Sequence, residues 1–293
     1  MSRKSHPRSG SGSGPAFPRH STGLSLIELM ISMVLALVVM GAAFAIFMSN
    51  QSTFRTSEGL SRIQENARVA FELMARDIRA AGGSACSNAS MIENTGTTSL
   101  QFRGSPVAGD ASTLTVRSGD DTAYRIVDST STSVELDSDQ IADATEAFSE
   151  GDFLLLCNAR KTFVVEATGV SANTVDFDEL PGSYDPANDE FAPPTAVVLA
   201  RYRDVSWFVQ GNPRGGSSLY VSRMGGAAEE VAEGVEDLDF EYLDAMSGNY
   251  QASPTGIEVI AVRISMTLTG DDIDGDPLSR TSSHVVSMRS RTL

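Results

Sequence analysis

GLSLIELMISMVLALVVMGAAFAIFM, residues 23–48, is the stretch on which the architecture turns. From Leu29 to Met48 it runs 20 residues without a charge, and Ser32 is its one clearly polar side chain. At ~1.5 Å rise per residue a helix of that length spans roughly 30 Å, the hydrocarbon core of one bilayer. The preceding residues, 1–23, carry Arg3, Lys4, Arg8 and Arg19, no acid, and mostly Ser, Gly and Pro, so they have little to bury in a fold. A basic flank before an apolar span places the N-terminus in the cytoplasm and the rest outside. A plain secretory signal would put its small-residue junction after a shorter apolar run. Here Gly23 comes before the run, and an uncleaved anchor is the competing reading. Glu28 weighs against that alternative. A carboxylate at the centre of a membrane helix costs about 2.5–3.5 kcal/mol, less near an end, and such residues usually have a partner.

Glycine, an apolar residue, a hydroxyl, Leu-Ile-Glu-Leu and then the long apolar run stand in order in GLSLIELMIS. This resembles the type III prepilin signal of type IV pilins, with Leu24 where that family usually has Phe. The resemblance implies that a membrane prepilin peptidase cleaves after Gly23 and methylates the new amine of Leu24. Glu28 then becomes the fifth residue of the mature chain and the assembly determinant. Paired with the Leu24 ammonium, it is far cheaper to bury than alone.

The helix predicted from this run continues. Residues 50–81 contain no Pro, and Phe54, Leu60, Ile63, Ala67, Ala70, Phe71, Met74, Ile78 and Ala81 recur at helical spacing. Glu58–Arg62, Glu65–Arg68 and Glu72–Arg76 are spaced to pair along the surface, acid first. Gly82-Gly83 supplies a stop. One helix from Leu24 to Ala81 would be roughly 85 Å long at ~1.5 Å per residue, with Gly41 and Gly59 as points where it could bend. The expected organisation is thus a cleaved leader (1–23), a transmembrane and assembly half-helix (24–49), an amphipathic outer half-helix (50–82) and a β-rich head (83–293).

After Ala81 short runs rich in Val, Ile, Leu, Thr and Phe alternate with turn-forming clusters. Strands are predicted at Leu100–Arg103, Thr113–Arg117, Tyr124–Val127, Val134–Leu136, Phe153–Cys157, Thr162–Ala167, Thr174–Phe177, Ala196–Tyr202, Val205–Gln210, Ser218–Ser222, Leu238–Tyr242, Ile257–Thr269 and Ser283–Arg289. A loop runs from Pro181 to Pro194. IEVIAVRISMTL alternates Val259, Ala261, Arg263 and Ser265 against Ile260, Val262, Ile264 and Met266, as a central strand would. Two subdomains, 83–195 and 196–293, and one continuous sheet are both compatible with the pattern. The fold class expected is α+β and pilin-like: a long N-terminal hydrophobic helix packed on a β-rich head of antiparallel sheet.

Further landmarks, AFELMARDIRAAG, GDFLLLC, ARYRDVSWFV, VAEGVEDLDFEY and a terminal SSHVVSMRSR, look like minor pilins of the PilW type. That resemblance implies a low-abundance subunit of the type IV pilus that primes assembly and sits at or near the fibre tip. Its partners would be other minor pilins, the major pilin and sometimes a tip adhesin. The inner membrane would hold it, head in the periplasm, before it enters the extracellular pilus. A J-type pseudopilin of a type II secretion system, or an adhesin displayed on a pilin stem, shares the signal and the β-rich head.

Composition narrows the chemistry. Lys and Arg number 22 against 38 Asp and Glu, a net charge of -16, which disfavours a nucleic-acid backbone as partner. Of 3 histidines, His6 and His20 lie in the leader, leaving His284. The two lysines, Lys4 and Lys161, sit in no phosphate-binding loop, and no GxSxG occurs. No catalytic residue, cofactor or metal is expected. Cys86 and Cys157 are even in number and face an oxidising compartment, so a disulfide is expected between them. Asp271-Asp272-Ile273-Asp274-Gly275-Asp276 imitates the start of a calcium loop but lacks its closing Glu, and reads as an acidic turn. Glu229, Glu230, Glu233, Glu236, Asp237, Asp239 and Glu241 read as a solvated face, with a docking patch for a basic partner as the sharper alternative. Trp207 and Phe208 are expected in the core, and His284 as an ordinary strand residue.

Overall fold

The computed structural model describes residues 25–87, 90–93, 96–180, 183–186, 191, 196–273 and 276–289. It divides into two units, Met1–Phe54 and Arg55–Leu293. A single helix, α1 (Leu26–Ala80), belongs to both and runs unbroken through Gly41 and Gly59. In the first unit its apolar side chains are exposed, Leu37 by 68% for example. Ser32, the polar residue of the span, returns its hydroxyl to the Glu28 carbonyl at 2.7 Å, so its donor does not seek water.

The second unit is α+β, with antiparallel sheet throughout except for one short parallel pair. Two sheets share it. The first contains β1 (Met91–Ile92), β2 (Val107–Gly109), β3 (Thr113–Ser129), β4 (Ser133–Leu136), β5 (Phe153–Cys157), β6 (Lys161–Ser171), β7 (Thr174–Phe177), β8 (Val198–Gly211), β9 (Ser217–Arg223) and β10 (Glu229–Glu233). The second contains β11 (Val235–Asp244), β12 (Tyr250–Gln251), β13 (Val259–Ile273) and β14 (Asp276–Ser287), in the order β12-β11-β13-β14.

The first sheet closes on itself. Its path runs β10-β9-β8-β5-β6-β7-β4-β3-β2, and β3 also pairs with β8. Strands β8, β5, β6, β7, β4 and β3 therefore form a ring, which removes open edges from that part of the molecule. All six contribute to one buried cluster, with Leu199, Leu154, Phe163, Val175, Leu136 and Ile126 as examples. The ring explains two differences from the sequence reading. The stretches predicted as separate strands around Gly119 and around Arg203 are continuous long strands, β3 and β8, whose outer ends leave the ring and serve a second core. Of the two arrangements compatible with the sequence, two subdomains or one continuous sheet, neither describes how the strands are shared between the sheets. β8 lies between β5 and β3, at the centre of the first sheet, so the chain changes sheets at Gly234. Gly234 has φ +79, and a Cβ there would meet the Thr269 carbonyl oxygen at 2.5 Å. Only glycine fits this crossing between β10 and β11.

Leu100–Arg103 is helical, not extended. It lies in α2 (Thr97–Gly104), which buries Ser99 and Phe102 three residues apart. Leu100 and Phe102 stand two apart, the strand period, but the helix buries Phe102 with Ser99, and Phe102 finds its partner, Tyr202, only through tertiary packing.

The second core joins α1 to both sheets. Ile63, Ala67, Ala70, Phe71, Met74 and Ile78 form one stripe of α1 and are all buried. They cluster with Val262, Ile264, Met266 and Leu268 of β13 and with Val205, Trp207, Leu219 and Val221 of β8 and β9. Each large side chain removed from water in this way contributes about 1.5–3 kcal/mol. From Val262 to Leu268 the β13 alternation is the one read from the sequence, with Arg263 and Ser265 on the opposite face. Gly59 is not a hinge here. A Cβ at that position would come within 3.3 Å of Leu278, so its bare backbone lets β14 approach the helix.

Candidate assembly site

Glu28 lies in the first turn of α1, exposed, at the end where the helix dipole is positive. No Lys or Arg occurs between Arg19 and Arg55, and His20 lies in the leader, so no side chain near Glu28 on the helix can neutralise it. Gly23 and Leu24, the expected processing pair, lie outside the described residues. The arrangement is a carboxylate at the head of an exposed apolar helix. The helix is long and apolar enough to cross a membrane by length and composition.

In the second unit, Cys86 and Cys157 are joined, with Cα atoms 5.9 Å apart across a separation of 71 residues. The bridge fastens the segment after α1 to the end of β5, where Cys157 is wholly buried. Nearby, Gly82 donates to the Arg117 carbonyl at 2.8 Å and Gly119 to that of Gly83 at 2.9 Å, so the same segment is also tied to β3.

The surface ion pairs differ from those expected. Arg62 does meet Glu58 at 2.9 Å. Arg68, however, takes Glu72 at 2.9 Å, and Arg76 reaches Asp121 of β3 instead. The exchange turns a local pair into a link between helix and sheet.

Sequence reasoning missed Asp77. It sits on the buried stripe of α1, accepts from Trp207 Nε1 at 3.0 Å and lies 3.4 Å from Arg203 Nη2. Its position between Met74 and Ile78 was the available signal, a carboxylate on an apolar face. Burial pushes its carboxyl above the usual range despite Arg203. Asp137 and Asp244 shift the other way. Arg125 Nε donates to Asp137 at 2.8 Å, and Ser247 and the Met246 amide hold Asp244 down. A carboxyl raised in the folded state adds stability below its unfolded pKa and loses it as pH rises through the folded value. A lowered one adds stability above its unfolded pKa and loses it as pH falls through the folded value. On acidification the carboxyls raised by burial, Asp77 and Asp239, are therefore met first, above the ordinary 3.8, as gains, and Asp137 and Asp244 below 3.8 as losses. Asp77→Asn, which can still accept from Trp207, is expected to show a smaller gain, Asp239 supplying what remains, while keeping the later loss. Urea midpoints measured at several pH values check this, and superimposable pH profiles for the two proteins would contradict it.

Trp207 is buried. Phe208 is only half-buried and stacks on Tyr220 with ring centroids 6.4 Å apart. His284, on β14, lies against Phe71 with ring centroids 4.2 Å apart. The acidic run is largely matched within the chain. Glu229 meets Arg223, Glu230 and Glu233 meet Arg214, and Glu241 meets Arg263. The side chains of residues 271–276 lie outside the described ones, as do Asp274 and Gly275 entirely. Among the described residues no group of three His, Cys, Asp or Glu could hold a metal ion.

Residues 18–44 match the family of the prokaryotic N-terminal methylation motif. No curated protein and no solved structure matches the chain. The motif covers Gly23, Leu24 and Glu28 and indicates a type IV pilin-like or pseudopilin protein, processed by prepilin peptidase and assembled with other pilins.

Proposed function

We propose that the chain is a minor pilin of the type IV pilus, of the PilW type. It primes assembly with other minor pilins and enters the fibre at or near its tip. The observation that carries this reading is a methylation motif heading an exposed apolar helix that continues into a disulfide-bonded β-rich head. The helix supplies membrane residence first and a filament seam later, and the head supplies the surface that other subunits meet. The role is structural. The landmark series from ARYRDVSWFV to VEDLDFEY supports the PilW type over a J-type pseudopilin or a stem-borne adhesin. In VEDLDFEY, Leu238, Phe240 and Tyr242 point into the core while Glu236 and Asp237 face water.

Cleavage between Gly23 and Leu24 is the first expected consequence. Mass spectrometry of the chain from sheared surface fibres should give an N-methylated Leu24 terminus, together with pilus subunits. An intact Met1 terminus, or cleavage beyond Met48, refutes the processing. Recovery only with secretion-system subunits, never with pili, would favour the pseudopilin alternative.

A further inference from the structure

A groove of about 460 Å³ runs between α1 and β14 in the second unit. Its floor is apolar, with Ile63, Ala67 and Phe71, and Arg79 and Arg280 stand at its rim. β14 closes the order of its sheet, pairing with β13 alone. From Ser279 to Ser287 it has no Pro, and its register with β13 there has no bulge. Edges in folded proteins are usually blunted by such devices, because a free edge is a template for another strand.

Charge adds a second, independent observation. The chain carries 22 basic against 38 acidic residues, and at least ten of the described arginines have a carboxylate partner. Among the described residues Arg79 and Arg280 have none. Two unmatched guanidinium groups beside a free strand edge, in a chain with excess acid, suit an acidic extended segment. The chain's own acidic segments do not suit. The β10 glutamates are held by Arg214 and Arg223. Glu241 is held by Arg263, and Asp237 and Asp239 lie on β11, which is already hydrogen-bonded to β13 along its length.

We propose that the free edge of β14 receives an added strand from a neighbouring pilin-like subunit. This strand is an extended segment whose carboxylates meet Arg79 and Arg280 and whose apolar side chains rest on Ile63, Ala67 and Phe71. Main-chain bonds to β14 give affinity and the arginines select the partner. The proposal rests on the assembly reading above.

The test uses the full chain in cells with a complete pilus machinery and a photo-crosslinking residue at Val285, which is 54% exposed. The expected product, from sheared fibres and membranes, is a link to a pilin-like chain at an extended segment with carboxylates toward both of its ends, since Arg79 lies level with Arg289 and Arg280 nine residues earlier. Arg79→Glu with Arg280→Glu should lower the yield about tenfold or more. Arg79→Gln with Arg280→Gln should lower it less, and reversing the partner's carboxylates to Arg should restore the link to the Glu variant. Both arginines are exposed, so an intact Cys86–Cys157 bridge and normal processing are expected in each variant. A processed, fibre-borne chain with no link overturns the proposal, as does a link to a second copy, to lipid or to a protein without a prepilin signal. A yield indifferent to the charge reversals also overturns it. An unprocessed chain absent from the fibres overturns the assembly reading, and the proposal with it.

Discussion

Replacing Cys157 with alanine is expected to lower the stability of the β-rich unit by about 4 kcal/mol, the loop-closure entropy of a long cross-link. The bridge spans 71 residues, which include the first turn of the ring, so its loss frees a large part of the unfolded chain. Total stabilities of domains are roughly 5–15 kcal/mol, so this loss removes much of what holds the unit together. Cys157 is wholly buried, and alanine there also leaves a small gap behind β5. Cys86→Ala frees the same loop without that gap, because Cys86 is only half-buried. The two variants should therefore differ slightly, with Cys157→Ala the weaker protein. Non-reducing peptide mapping of the parent should find the pair linked. Urea unfolding of parent and variants reads the loss, and midpoints equal to the parent's would show that the bridge does not carry the stability.

Which features the sequence could disclose follows from the range over which each is determined. The stripe Ile63, Ala67, Phe71, Met74 and Ile78 repeats over several turns, and the β13 alternation holds from Val262 to Leu268, so local period marks their buried faces there, while Val259 and Ala261 are buried against the pattern. Both cysteines could be paired by count and compartment. The ring could not be read. Its closure depends on β3 meeting β8, two strands some 80 residues apart, and neither carries a local mark of the other. Arg76 shows the same limit in one side chain. Glu72 stands four residues away, yet Arg68 takes it and Arg76 turns to Asp121. The groove beside β14 needs tertiary structure twice over, once to bring β14 alongside Ile63, Ala67 and Phe71 and once to leave Arg79 and Arg280 without carboxylates.

Glu28→Leu is expected to insert normally, be cleaved normally and fail to assemble. Insertion should improve, because an acidic side chain is removed from the edge of an apolar helix, where it costs somewhat less than the about 2.5–3.5 kcal/mol of a central position. Cleavage should persist, because the bond between Gly23 and Leu24 lies upstream of the change. Assembly differs because it takes the helix end out of reach of both water and lipid headgroups. There the Leu24 ammonium made by cleavage needs an opposite charge. No basic or acidic side chain stands between Glu28 and Arg55 to substitute for the lost carboxylate. Breaking a buried ion pair by removing one partner costs about 3–5 kcal/mol, because the other charge is left uncompensated. That corresponds to roughly a hundredfold or greater loss of incorporation. The measurement is the ratio of variant in sheared fibres to variant in membranes, with the Leu24 terminus verified by mass spectrometry. Glu28→Asp is the matched control. It keeps the charge and shortens its reach by one methylene, so it should retain part of the incorporation that leucine abolishes. If the leucine variant enters fibres at the parent's ratio, the carboxylate is not the determinant, and the apolar seam of α1 must set the register by itself.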